Sequence, residues 1–294
     1  MSGPAWIAVD WGTSYLRAWL MDAQDKVIER RQSDAGMAKL ARGAFAGALE
    51  DLVGPFDGSV VACGMVGSRQ GWAEAPYATA PCKPPSAASS TSVGRVRILP
   101  GIKQTKPADV MRGEETQIAG YLDKNPDFDG VICLPGTHTK WVHISAGEIV
   151  SFRTAMTGEL FALLADKSVL RHSVGTGWDQ SAFTEAVSET LSRPEGLAAA
   201  LFNIRASGLL TEPKPDTARA RLSGLLIGAE LAAMRPYWLG QNVTLVGAAD
   251  LSAAYAAALK VQGVTAQIAN GDDMTLQGLV AAKSAMETLS LIHI

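Results

Sequence analysis

The same opening is written twice in this chain. An apolar run, Trp6–Asp10, meets the turn Gly12-Thr13-Ser14, continues through Tyr15–Met21, turns at Asp22-Ala23-Gln24-Asp25 and returns through Lys26–Arg30. The order recurs at Val131-Ile132-Cys133-Leu134. Here Pro135-Gly136-Thr137-His138-Thr139 is the turn, Lys140–Ile144 runs back, Ser145-Ala146-Gly147 turns again and Glu148–Phe152 is the third run. Short apolar runs parted by polar, glycine-bearing turns predict a β-meander in each place. Gly12-Thr13 falls on Gly136-Thr137, and both second runs carry a tryptophan, Trp19 and Trp141. A segment that begins as the chain began predicts a second domain. The boundary is expected near Asn125-Pro126, dividing the chain into 1–125 and 126–294. A chain of 294 residues gives each part enough length to bury its own core.

Between and after the meanders the pattern alternates. Residues 36–53 carry Ala, Leu and Phe at helical spacing, Val60–Cys63 reads as a buried strand, and Pro76–Ser92 reads as a long loop. Asp109–Leu122 is expected as a helix entered through Arg112-Gly113-Glu114-Glu115. Further on, Ser223–Met234 and Ser252–Leu259 read as helices on either side of a strand, Val243–Val246. The class is therefore α/β. Gly224 and Gly228, four apart, let either another helix or a flat ring approach closely.

Composition excludes more than it assigns. A hydrophobic fraction of 47% with 19% charged residues fits a soluble globular protein. The net charge of −3, without a dense Lys/Arg block, argues against nucleic acid or an anionic membrane as partner, while a small anionic ligand needs only local donors. The opening MSGPAWIAVDWG lacks the basic and apolar regions of a signal peptide, and no apolar run reaches a membrane span. Cys63, Cys82 and Cys133 are odd in number and widely spaced, which suggests neither a disulfide framework nor a zinc site. His143, His172 and His293 show no ligand spacing. A cytoplasmic protein is expected.

Three turns have the chemistry to hold a phosphorylated ligand. In Asp10-Trp11-Gly12-Thr13-Ser14, glycine admits close backbone approach, and the N–H and hydroxyl groups of Thr13 and Ser14 are phosphate donors. Asp10 only accepts when ionised, so it suits Mg²⁺ beside the phosphates. The second turn offers Gly136, Thr137, His138 and Thr139. Two such turns facing each other would grip a polyphosphate, the arrangement phosphoryl transfer needs. Lys140 would either steady a phosphate or point outward from its strand. The third turn is Gly247-Ala248, where a strand ends and an Ala-rich helix begins, a common nucleotide contact.

In this order the elements resemble the actin-like ATPase superfamily of sugar kinases, heat-shock ATPases and actin. Six strings are similar to the 2-dehydro-3-deoxygalactonokinase family in particular: Asp10–Trp19 (DWGTSYLRAW), Gly64–Trp72 (GMVGSRQGW), Met111–Gln117 (MRGEETQ), Leu134–Trp141 (LPGTHTKW), Met156–Leu160 (MTGEL) and Leu222–Leu231 (LSGLLIGAEL). The resemblance implies a two-domain fold of ribonuclease H-like type with an interdomain cleft. It also implies ATP and Mg²⁺, and transfer of phosphate to the 6-hydroxyl of 2-dehydro-3-deoxy-D-galactonate in galactonate breakdown. The superfamily's acidic residue at a helix start falls on Glu114 or Glu115, with Glu115 favoured as the base. A 2-oxo acid needs a guanidinium for its carboxylate. Arg69 in Ser68-Arg69-Gln70-Gly71-Trp72 is the first choice, with Trp72 against the sugar chain, and Arg17 is the second. Glu159, in Thr157-Gly158-Glu159, belongs to the sugar cleft by resemblance, or to an ordinary helix entry. The rivals are a kinase of another sugar acid, an exopolyphosphatase-like phosphohydrolase, and a regulator on the same scaffold. With the first strand beginning by Trp6, the added DNA-binding helix pair of such regulators is not expected at the N-terminus.

Overall fold

The computed structural model describes residues 3–211 and 214–292. Contacts divide the chain into two compact units. Unit 1 comprises Met1–Asp129, Ile144–Ser151 and Gly271–Ile294, and unit 2 comprises Gly130–His143 and Phe152–Asn270.

In unit 1 the first meander forms as the pattern predicts: β1 (Trp6–Trp11), β2 (Leu16–Met21) and β3 (Val27–Ser33) pair antiparallel in sequence. Helix α1 (Phe45–Val53) follows, and then β4 (Ser59–Gly64), which joins the free side of β1 in parallel. Ala78–Thr79 (β5), Thr91–Val93 (β6), Val96–Ile98 (β7), Ile102–Thr105 (β8) and Ala108–Met111 (β9) lead to helix α2 (Glu114–Lys124). The main sheet runs β3-β2-β1-β4-β7-β6, and β5-β8-β9 form a small second one. Ile7, Val9, Trp11, Leu16 and Val60 pack with Phe45 and Leu49 of α1 on one face. Trp6, Ala8, Trp19 and Val61 pack on the other with Leu279 of the C-terminal helix Gly271–Ile292.

Two stretches differ from the sequence reading. Asp109-Val110-Met111 is strand, paired with β8 from Ile102↔Met111 to Thr105↔Ala108, and α2 starts only after Gly113 at φ 112°. The helical spacing over 36–53 is also interrupted. Met37 and Ala38 donate their N–H groups to Gly12 and Thr13 carbonyls at 3.0 Å, so residues 37–39 form one short turn before α1 begins at Phe45. Leu40 is then extended, at φ −107° and ψ 136°, and this breaks the helical run.

Another sheet repeats the plan, with its hairpin segment Ile144–Ser151 grouped in unit 1. Its strands are β10 (Gly130–Leu134), β11 (Thr139–Ser145), β12 (Glu148–Ala155), β13 (Val243–Gly247) and β14 (Gln267–Asn270), in the order β12-β11-β10-β13-β14. As β4 joins β1, β13 joins β10 in parallel. Between Ser145 and Glu148 both turn residues, Ala146 and Gly147, have positive φ, which suits a two-residue hairpin. The helices are α3 (Thr157–Lys167), α4 (Gln180–Ser192), α5 (Leu197–Leu210), α6 (Pro215–Ala233), α7 (Arg235–Trp238) and α8 (Ala249–Val261). A Cβ on Gly224 or Gly228 would strike Phe183 O and Val187 O of α4. Of the two readings of that glycine pair, helix packing is the one realised.

The division is not a single cut near Asn125-Pro126, because the C-terminal helix returns to unit 1. It crosses α2 where Gly120 backs onto Met274 O and Gly278 onto Thr116 O, so that a Cβ at either place would collide with backbone. Helix propensity would favour Gly278→Ala by about 1 kcal/mol, but overpacking costs about 1–3 kcal/mol. We expect Gly278→Ala to lower stability in denaturant unfolding. A gain in stability would show that the crossing is loose.

Candidate active site

Unit 1 brings two distant carboxylates to one glycine. Because β1 and β4 are parallel, their C-terminal ends lie side by side, with Asp10 opposite Cys63 and Trp11 opposite Gly64. Gly64, at φ 91°, leaves no room for a side chain: a Cβ there would come within 2.7 Å of Trp11 O and 3.2 Å of Asp10 Oδ1. Gly113 approaches from the other side, its Cβ position 3.5 Å from Gly64 Cα. At the start of α2, both carboxylate oxygens of Glu115 accept the Gly113 N–H, at 2.9 and 2.7 Å, and Glu114 accepts the Arg112 N–H at 3.0 Å.

Burial sets the electrostatics. Glu115 is 1% exposed, and desolvation, reinforced by the neighbouring Glu114 charge, pushes its pKa up to about 8 against the pull of backbone N–H bonds. Asp10, the more open of the pair with 13% of its side chain exposed, is also raised by burial, partly offset by Arg17. The Arg17 guanidinium bridges Asp10 and Asp272, the latter in the first turn of the C-terminal helix.

The Gly12-Thr13-Ser14 turn closes through Gly12 N–H to Tyr15 O at 3.0 Å, and Gly36 lies against its back. A Cβ on Gly36 would strike Thr13 O and the Ser14 backbone. The second turn is built alike in unit 2. A Cβ on Gly158 would strike Gly136 O, and the Glu159 N–H bonds Thr137 O at 3.0 Å. Gly247 closes the third side, its Cβ position 3.3 Å from Pro135 O, with Ala248 leading into α8.

Gly136, Thr137, Thr157 and Gly158 open onto a cavity of about 710 Å³. Its walls are Leu226, Ile227, Tyr255, Phe161 and Trp178, with Arg219 stacked over Phe161 at 5.0 Å. Behind the wall Glu230 accepts from Trp141 Nε1 at 2.7 Å, from Tyr255 Oη at 2.7 Å and from Thr157 Oγ1. Burial raises Glu230, and these donors pull it back.

Comparison with known proteins decides the family. The model of the family described as 2-keto-3-deoxy-galactonokinase matches residues 10–282. The chain is 38% identical over 283 residues to the 2-dehydro-3-deoxygalactonokinase of Escherichia coli (strain K12), covering 93% of this chain and 96% of that protein. The chain belongs to the 2-keto-3-deoxy-galactonokinase family. A crystal structure assigned to the same activity, from Sinorhizobium meliloti, superposes with a TM-score of 0.89 at 37% identity over 96% of this chain and 99% of that one. The fold reaches further. The activator of 2-hydroxyisocaproyl-CoA dehydratase from Clostridium difficile, with bound ADPNP, gives 0.56 at 12% identity over 97% and 96% of the two chains. The α/β fold is that of the actin-like ATPases and sugar kinases.

Within the family's strings, sequence reasoning placed some side chains differently from where they lie. Trp72 is half-buried, and its ring stacks on Phe45 at 6.2 Å and meets Trp11 edge-on. Arg69 is 86% exposed, with Glu74 at 3.8 Å, and Gln70 beside it is exposed. Ser68 is buried with an Oγ that lacks a hydrogen-bond partner, as does Arg112 Nη1, which lies against Gly67. Arg112 was passed over although MRGEETQ contains it. Its guanidinium bonds Ala75 O at 2.8 Å and stacks over Tyr77 at 4.2 Å, fixing the chain that follows Gly64–Trp72. Glu159 is bonded by His138 Nε2 at 2.6 Å. Lys140 is buried and donates to Thr154 Oγ1 at 2.9 Å, so it does not point outward. His293 lies outside the described residues. Among the described residues no group of three or more His, Cys, Asp or Glu side chains is placed to hold a metal, and no helix is long and apolar enough to cross a membrane.

Glu115 gives stability a sign. Its folded pKa, about 8, exceeds the ordinary carboxylate value of 4.5, so the folded state holds a proton that the unfolded chain has released between those values. That contribution is complete below about pH 4.5 and is lost as pH rises through about 8. Denaturant midpoints of Glu115→Gln should therefore fall less than wild type between pH 6 and about 9. Parallel profiles would mean that Glu115 is ionised throughout.

Proposed function

We propose that this chain transfers the γ-phosphoryl group of ATP to the 6-hydroxyl of 2-dehydro-3-deoxy-D-galactonate, in galactonate breakdown in the cytoplasm. One observation carries the catalytic part of the reading: the meeting of Asp10 and Glu115 at Gly64, with Glu115 raised to a pKa of about 8. A base poised near the working pH transfers protons most effectively.

In unit 2, the cavity of about 710 Å³ suits the nucleoside, within the usual range of roughly 300–1,000 Å³ for small-molecule sites. Gly136, Thr137 and His138 offer donors to its phosphates, with Gly247 and Ala248 behind them. In unit 1, Gly12, Thr13 and Ser14 offer the same donors. Asp10 fits a Mg²⁺ that arrives with the nucleotide, since such an ion takes one or two protein carboxylates and fills its remaining positions with phosphate oxygens and water. When bound, the ion would neutralise phosphate charge. Glu115 accepts the proton of the 6-hydroxyl as its oxygen forms a bond to the γ-phosphorus. The bond to the β-phosphate oxygen breaks, ADP leaves, and Glu115 returns the proton to solvent. Arg69, exposed and loosely paired, is free to meet the carboxylate of the acid, with Ser68 and Gln70 beside it. Arg17 already holds Asp10, which makes it an organiser of that carboxylate.

The test is a coupled ADP-release assay over a panel of sugar acids and neutral sugars. The 2-dehydro-3-deoxy acid should be preferred, and phosphate release from polyphosphate without any acid would favour the hydrolase. Glu115→Gln should lower kcat by about 100- to 10,000-fold, and wild-type kcat/KM should climb with pH towards about 8. If Glu114→Gln is the more damaging change, the base is Glu114. Arg69→Ala should raise KM for the acid and leave KM for ATP alone.

A further inference from the structure

Glu230 is a buried carboxylate on α6, one turn on from the apolar Leu226 and Ile227. Leu226 and Ile227 of α6 line the unit 2 cavity, while Glu230, 5% exposed, sits behind it. A buried carboxylate is costly unless its oxygens are met by donors, and apolar residues of similar size often serve stability equally well. Its three donors come from three different elements: Trp141 on β11, Thr157 at the start of α3, and Tyr255 on α8. Tyr255 Oη also lies 2.9 Å from Thr139 Oγ1, at the end of the second turn. Tyr255 Oη donates its one proton to Glu230, and Thr139 must then donate to Tyr255. The chain of hydroxyls has one direction, and Glu230 sets it.

The joined residues are those that shape the cavity. Thr157 and Tyr255 line it directly, and Thr139 closes the turn whose Gly136 and Thr137 line it. We propose that Glu230 is the positioning residue of the nucleotide pocket: through Thr157, Tyr255 and Thr139 it holds the second turn, the start of α3 and α8 in one register around a nucleoside triphosphate. This rests on reading the unit 2 cavity as the nucleotide site. The bonds of the network run to the second turn, α3 and α8, the elements around the cavity, so it is placed to act on nucleotide binding.

Tyr255→Phe removes both hydroxyl contacts and keeps the ring. Binding of Mg·ADP by titration calorimetry, with KM for ATP and for the sugar acid, separates positioning from general support. In a variant that melts within a few degrees of wild type, ADP affinity should weaken and KM for ATP should rise about tenfold, the scale of one or two buried hydrogen bonds. KM for the acid should stay within about twofold. If Tyr255→Phe does not fold, Thr139→Val cuts the same chain at its other end and should move the same two nucleotide quantities. Unchanged nucleotide binding, or equal rises in both KM values, overturns the proposal while leaving the kinase reading intact. Failure of wild type to bind Mg·ADP removes the nucleotide reading of the cavity and this inference with it.

Discussion

Backbone set directly against backbone, with no side chain between, is the constraint from which both parts of the candidate site follow. Gly36 backs the first turn and Gly158 the second, and in each case a following N–H, from Ala38 or Glu159, is spent on a threonine carbonyl of the turn. Gly64 admits Asp10 and the Gly113 segment to one place, and Gly247 brings the third turn against Pro135. Any Cβ at Gly36, Gly64 or Gly158 would have to displace a main-chain atom, which a packed interior cannot absorb cheaply. The turn donors are therefore held from behind, leaving their front for a ligand.

The electrostatics follow from the same closeness. Parallel pairing puts Asp10 beside Cys63 at the end of the sheet, and the Gly113 turn buries Glu115 near the same thiol. Two acids withdrawn from water cannot both keep ordinary affinities for protons. Arg17 partly offsets burial at Asp10, whereas at Glu115 the like charge of Glu114 adds to burial and outweighs the backbone donors and Arg112, taking its pKa to about 8. In unit 2 the buried acid is instead surrounded by neutral donors, and there it ties elements together.

What could be read from the chain was what local pattern encodes. The doubled meander, its Gly-Thr turns and the strand–Gly–helix junction at Gly247 are each written in a few consecutive residues, and each formed. Asp109–Met111 was misread because three residues of strand next to a true helix carry no period of their own, and only pairing with β8 decides them. The packing of Trp72 was not legible, because its partners Trp11 and Phe45 lie far off in sequence. Gly36, Gly158, Arg112 and Glu230 act through contacts made only on folding. Their one early signal was that all except Gly36 fall within or beside the strings that resemble the family. The return of the C-terminal helix to unit 1 was hidden for a similar reason, since Gly120 and Gly278 lie 158 positions apart.

The reaction itself is the most direct test, read by the identity of its product. Protein, Mg·ATP and 2-dehydro-3-deoxy-D-galactonate should give, in ³¹P NMR, ADP and an equal amount of a phosphomonoester whose phosphorus couples to the methylene protons on carbon 6. ADP accompanied only by inorganic phosphate, with no ester signal, would contradict the account.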